Sequence, residues 1–259
     1  MAAGMAPGVA DWSRPWLAPY REVGQRVLAR VRAGASVARA LDAERSPAAP
    51  RFVPQHDLTP GTGYEDFVHR EGAVPTRDHW HDFFNGLVWL QQPALKWHLN
   101  RLHVQALAAG EGGAGRRGPL RDALTLLDES GALLQAPEAL VRALAARDWA
   151  ALFGPLRPLW AQARLQIVGH ALLEQLLRPR KPLCAHVLRW PDTAWPSADP
   201  QATDLPGAER LRAKPFLPLP VLGVPGWWPA NESADFYADA QVFRPPRGPV
   251  MDTAGRQSS

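Results

Sequence analysis

Residues 64–103 read YEDFVHREGAVPTRDHWHDFFNGLVWLQQPALKWHLNRLH, and the fold turns on the middle of this stretch. At about 100° per residue, Trp80, Phe83, Phe84, Leu87 and Val88 fall on one arc of a helix. Asp78, His81, Asp82, Asn85 and Trp89 fall on the opposite arc. The first arc is a core face. The second is polar but lacks the long Lys and Glu side chains that coat a solvated face, which makes it a candidate site. The spacing predicts a helix entered at Thr76 as N-cap, with Asp78 in a first turn whose dipole suits negative charge. It ends near Gln92, because Pro93 cannot continue the hydrogen-bond ladder. A second helix is expected from about Ala94 to Ala109. Its apolar stripe is Leu95, Leu99, Leu102 and Ala106, and Lys96, Asn100 and His103 form another. Upstream, Tyr64 to Val74 reads as extended, with Glu71-Gly72 as a turn.

Working outward, residues 1–19 look irregular. Tyr20 to about Glu44 turns helical on Val23, Val27, Val31, Val37 and Leu41, with arginines mostly off that stripe. Prolines and glycines from 45 to 63 indicate a loop around Phe52-Val53. Residues 110–119 (GEGGAGRRGP) connect to ALTLLDESGALL, which reads as two short strands around an Asp128-Glu129-Ser130-Gly131 turn. Pro137 to Phe153 and Gly169 to Leu177 are expected to be helical, and Leu183 to Leu188 a strand. Residues 191–216 read as surface loop. The proline-rich segment from Leu217 to Arg247 suits an ordered strap rather than a sheet centre. The fold class expected is therefore α+β: a helix-rich single domain over residues 20–247 with a small, partly antiparallel sheet and a Pro/Trp-rich C-terminal strap. Residues 248–259 are expected to be a disordered tail.

Composition narrows the function classes. The chain has 259 residues, 46% hydrophobic and 21% charged, which is ordinary for a globular protein. Net charge is +4, but of 29 basic residues only Lys96, Lys181 and Lys214 are lysines. The arginines are scattered rather than gathered into a phosphate-tracking patch, so nucleic acid is not the expected partner. Eleven tryptophans are expected mostly in the core or lining a pocket. Cys184 stands alone in an apolar run, so no internal disulfide and no thiolate cluster is expected. No apolar run has the length of a membrane span or a secretion signal, and a cytoplasmic location is the expectation.

Two constellations carry chemistry. On the first helix, His81 and Asn85 are one turn apart, as are Asp78 and Asp82, and a His beside carboxylates suits proton transfer. His79 and His81 point about 200° apart and cannot jointly hold one metal on an intact helix. In the second, His170 and Glu174 share a helix face and could ligate one divalent metal or form an acid–base pair, with further ligands (His81, Asp82 or His186) arriving from elsewhere. Asp128-Glu129 could hold Mg²⁺ through oxygen, but reads better as a plain turn. There is no Gly-rich phosphate loop, nucleophile elbow or HExxH.

The blocks YEDF, GAVPTRDHWHDFFNGLVW, RDALTLLDESGA, GHALLEQLLRP and LPVLGVPGWWPANESADFYADAQVFRPPR occur in that order. Together they resemble DUF3025, a bacterial family of unknown function, over roughly Phe52 to Arg247. The resemblance brings no activity, substrate or cofactor. It implies weight for His81, Asp82, Asn85 and Trp89, and for His170 and Glu174. It implies none for His79, whose position is often Asn in the family.

The expectation is an enzyme of unknown reaction, a hydrolase in first place, acting on a small molecule. Its pocket would gather His81, Asp82, Asn85, His170 and Glu174, with Trp89, Trp228 and Asn231 lining it and a divalent metal as the cofactor to look for. The rival is a non-catalytic binding module whose Trp- and Arg-rich surface takes a peptide or single-stranded nucleic acid.

Overall fold

The computed structural model describes residues 10–111, 118–191, 195 and 205–244. The predicted 248–259 tail lies outside them. The helices are α1 (Arg21–Arg32), α2 (Val37–Asp42), α3 (Tyr64–Glu71), α4 (Trp80–Gln91), α5 (Pro93–Ala108), α6 (Pro119–Ser130), α7 (Glu138–Ala146), α8 (Trp149–Phe153), α9 (His170–Gln175) and α10 (Ala208–Arg212). The strands are β1 (Arg51–Pro54), β2 (Ala73–Thr76), β3 (Gly131–Gln135), β4 (Arg164–Ile167), β5 (Cys184–Arg189) and β6 (Phe216–Pro220). The fold is α+β, with two small sheets. β1 and β2 pair in parallel. The larger sheet runs β4-β3-β5-β6, with β3 parallel to β5 and antiparallel pairs at both edges. The proline-bearing β6 is an edge strand, where missing N–H donors do least harm. No helix among the described residues is long and apolar enough to cross a membrane.

Helix α4 buries Trp80, Phe83, Phe84, Leu87 and Val88, as its spacing demands. It stops at Gln92, and Pro93 opens α5 at a position where a missing N–H costs nothing. The valine stripe of α1 is buried in the same core, as are Trp16, Leu17 and Tyr20 from the 3-10 turn before it. The Tyr20 hydroxyl donates to the Ile167 carbonyl (2.6 Å) and accepts from Gln166, which in turn accepts from Gln92. This buried chain ties β4 to the α4–α5 joint and fixes where β4 delivers α9.

Several sequence expectations are corrected. The described part of the expected 191–216 surface loop includes α10, with Leu211 buried, and Phe216 opens β6. Residues 64–71 are helical rather than extended. Phe67 and Val68 supply the buried side, Glu65 and Asp66 fall in the first turn, His69 and Arg70 in the last, and Gly72 closes the helix at φ 59°. Thr76 is not an N-cap. It ends β2, and its hydroxyl donates to the Val74 carbonyl, while α4 begins four residues later. ALTLLDESGALL is not a hairpin. Pro119 opens α6, whose Leu120, Ala123, Leu124 and Leu127 make a helical stripe buried in the core. Only GALLQ is strand, and its continuous apolar run fits its place between β4 and β5.

Asp78 belongs to a different helix from the one expected. Its Oδ1 accepts from the Val37 N–H at 2.7 Å, capping α2 from across the chain. Asp78→Ala is expected to cost about 1 kcal/mol, read as a lower urea midpoint at unchanged slope.

Candidate functional site

Three helices meet at one point. α4 contributes His81 from its first turn, α9 contributes His170 and Glu174, and the last turn of α6 contributes Asp128 and Glu129. Nε2 of His81 lies 3.0 Å from Nε2 of His170, and the rings meet edge to face with centroids 4.5 Å apart. Oε2 of Glu129 is 3.6 Å from the same His170 nitrogen. The ligating atoms of His81, Glu129 and His170 all lie within 4.8 Å of one another. The outer nitrogens face carboxylates too. Nδ1 of His81 is 3.1 Å from Glu174 Oε2, and Nδ1 of His170 is 3.8 Å from Asp128 Oδ2.

Glycine makes this meeting possible. A Cβ on Gly169 would fall 2.4 Å from the Gly131 nitrogen and 2.5 Å from Ser130 Cα. The N–H groups of Val168 and Gly169 both donate to the Gly131 carbonyl. The backbone before His170 therefore rests directly on the backbone after Glu129, and the two side chains start from adjoining positions.

The cluster is buried on one side and open on the other. The His170 side chain is 5% exposed, whereas His81, Glu174 and Glu129 are 31%, 40% and 42% exposed. Burial pushes the His170 imidazole down to about 4, with Lys96 and His81 acting in the same direction and Asp128 opposing. Asp128 ends up below the usual carboxylate range. Burial alone would raise it, but the Lys96 ammonium wins. Above about pH 6.5 His170 is neutral in folded and unfolded chains alike. Between 6.5 and about 4 the unfolded chain takes up a proton that the folded one refuses, so stability decreases as the pH is lowered through this range. The protein in chelator-treated buffer is expected to lose urea resistance between pH 7 and 5, by more than His170→Gln does.

The remaining predicted residues fall into two groups. Asn85 lies directly behind the cluster. Its Oδ1 accepts from Lys96 Nζ at 3.0 Å, and its Nδ2 donates to the Tyr64 hydroxyl. The Trp89 ring lies 5.2 Å from Lys96 Nζ. Asp82, in contrast, is engaged by Arg77, accepting from its backbone N–H (2.6 Å) and its guanidinium (3.0 and 3.1 Å). Trp228 packs under Arg14. The Asn231 amide is tied to the Leu222 and Val224 carbonyls, and the residue borders a hollow with Trp149, Phe153 and Tyr237. His186 accepts from, or donates to, Ser130 Oγ at 2.9 Å.

Sequence reasoning missed Glu129, Asp128 and the role of Lys96. The available signal was the α6 stripe, which would have placed Asp128 and Glu129 on a final helical turn instead of a hairpin. Of the eleven tryptophans Trp16, Trp80, Trp89 and Trp190 are buried and the other seven are half-buried.

A protein-family model described as "Protein of unknown function (DUF3025)" matches residues 50–247, which include every residue of the cluster. No curated protein and no solved structure matches the chain.

Proposed function

The chain belongs to the DUF3025 family, and we propose that it is a metal-dependent hydrolase whose divalent ion, zinc in first place, is held by His81, His170 and Glu129. One observation carries the reading. Three potential ligand atoms converge on one point: Nε2 of His81 and Nε2 of His170 approach to 3.0 Å, and Glu129 Oε2 lies 3.6 Å from the latter, while Glu174 faces Nδ1 of His81 and Asp128 lies 3.8 Å from Nδ1 of His170. At 3.0 Å the two Nε2 nitrogens share either a proton or a cation. Ligands about 2 Å from a tetrahedral ion sit roughly 3.3 Å apart, and the 3.0 and 3.6 Å separations at His170 Nε2 bracket that value. The Nδ1–carboxylate contacts repeat the outer pattern that orients metal-bound imidazoles.

Three protein ligands leave a fourth position for water or substrate, as in catalytic rather than structural zinc sites. A bound zinc ion supplies Lewis acidity and a water acidified to near neutral pH. The protein's own part is then to orient. Glu174 and Asp128 aim the imidazoles, Glu129 brings negative charge, and the exposed side admits a small substrate.

Metal analysis of the purified full chain tests this. The expected result is close to one equivalent of zinc or another divalent ion, together with hydrolysis of a chromogenic ester or phosphoester. Chelation should abolish that hydrolysis and zinc restore it. A protein that arrives metal-free and takes up no zinc, cobalt or manganese would sink the proposal.

A further inference from the structure

We infer that Lys96 is a positioning residue for this centre: by anchoring the Asp128 carboxylate against Nδ1 of His170, it keeps the His170 proton on Nδ1 and the Nε2 lone pair turned towards His81. The inference rests on the metal site proposed above, but it has consequences in the metal-free protein.

Lys96 lies on α5 and makes no hydrogen bond to either imidazole. Its ammonium donates to Asp128 Oδ1 and to Asn85 Oδ1 (3.0 Å) and lies against the Trp89 ring. Asn85 is itself held, because its Nδ2 donates to the Tyr64 hydroxyl. The result is a hydrogen-bonded chain, Tyr64–Asn85–Lys96–Asp128, running from α3 through α4 and α5 to α6, whose last carboxylate lies 3.8 Å from the otherwise unpartnered Nδ1 of His170 on α9. The Lys96 side chain is only 6% exposed.

Stability alone does not account for a buried ammonium. Desolvating a charge costs several kcal/mol, and packed apolar side chains commonly replace a buried ion pair without loss. What the pair achieves is geometric. With Oδ1 of Asp128 taken by Lys96, Oδ2 is left facing Nδ1 of His170 at 3.8 Å. A carboxylate only accepts hydrogen bonds, so the tautomer it favours carries the proton on Nδ1. That is the tautomer whose Nε2 can ligate a metal. Without Lys96, Asp128 loses its anchor and Nδ1 its facing acceptor. The His170 proton then redistributes to Nε2, where it blocks the ligand position.

The experiment uses metal-stripped full-length protein labelled with ¹⁵N-histidine. Two-bond ¹⁵N–¹H correlations identify the tautomer of each ring, and the spectrum of His170→Gln assigns His170. Wild type is expected to show the Nδ1–H form. Lys96→Met is expected to shift His170 mainly to Nε2–H and to weaken zinc binding by about 10- to 100-fold. Lys96→Arg, which can still anchor Asp128, should restore both. The wild-type spectrum decides even where Lys96→Met fails to fold, since an Nε2–H form there overturns the inference. So does a Lys96→Met protein with unchanged tautomer and zinc affinity, which would leave the metal reading standing. A wild type that takes up no zinc, yet shows the Nδ1–H form and loses it in Lys96→Met, retires the metal reading and keeps the role of Lys96.

Discussion

His81→Ala, His170→Ala and Glu129→Ala are each expected to reduce bound zinc from about one equivalent to a trace and to weaken its binding by about 100-fold or more. The lower bound comes from the outer carboxylates. Losing a residue that merely orients a ligand typically costs 10- to 100-fold, and losing the ligand itself must cost more. Glu174→Gln removes only the carboxylate facing His81 Nδ1, so it should stay within the 10- to 100-fold range. Asp82→Asn is the control. Its carboxylate serves Arg77 and the start of α4, so zinc content should not move, while stability drops by about 1 kcal/mol. Metal content by mass spectrometry and affinity by competition with a chromogenic chelator read out the series. Full zinc occupancy in His170→Ala would show that the ion is held elsewhere.

Gly169→Ala should be strongly destabilising. The added carbon would sit 2.4–2.5 Å from backbone atoms of Ser130 and Gly131. Real Cβ atoms do not approach that closely, and backbone held in β3 between β4 and β5 cannot swing aside as a side chain can. Overpacking a core usually costs about 1–3 kcal/mol and occasionally more; here about 3 kcal/mol or more is expected. The loss should also be functional, since prising α9 from α6 separates His170 from Glu129. Gly72→Ala makes the comparison. It places a side chain at φ 59° with nothing within 4 Å, so it should cost only the intrinsic 1–2 kcal/mol of a left-handed residue and leave zinc binding intact. Urea denaturation with parallel metal titration separates the two. A Gly169→Ala protein within about 0.5 kcal/mol of wild type, well inside the range of ordinary surface changes, would refute the role given to this contact.

Where a segment's own periodicity dominates, sequence and structure agree. Helix α4, the Pro93 break, α5, α9 and β5 all follow from stripes and prolines readable in the chain, and so does the pairing of His170 with Glu174 on one helical face. Two segments read wrongly are instructive. In residues 64–71 the charged residues were placed as a helix wants them, negative early and positive late, with glycine after. Only Phe67 and Val68 are buried, too few apolar positions to display a period. In residues 119–135 a helix runs straight into a buried strand with no loop between them. The acidic last turn of one and the glycine opening the other together imitated a hairpin turn.

The same junction divides what each level of description decides. Local pattern is enough to place His81 on a helix face and His170 four residues before Glu174, because spacing along a helix is set by the backbone alone. Which carboxylates complete the cluster depends on how α9 crosses the α6–β3 joint, and that is set by backbone contact at Gly169, Ser130 and Gly131. The burial of Lys96 behind Asp128 depends on α5 packing against α6. Contacts between segments distant along the chain leave no periodic trace in either one. Side chains that look like a solvated turn or an ordinary surface lysine can therefore become, once the helices are packed, the inner lining of a histidine–carboxylate cluster.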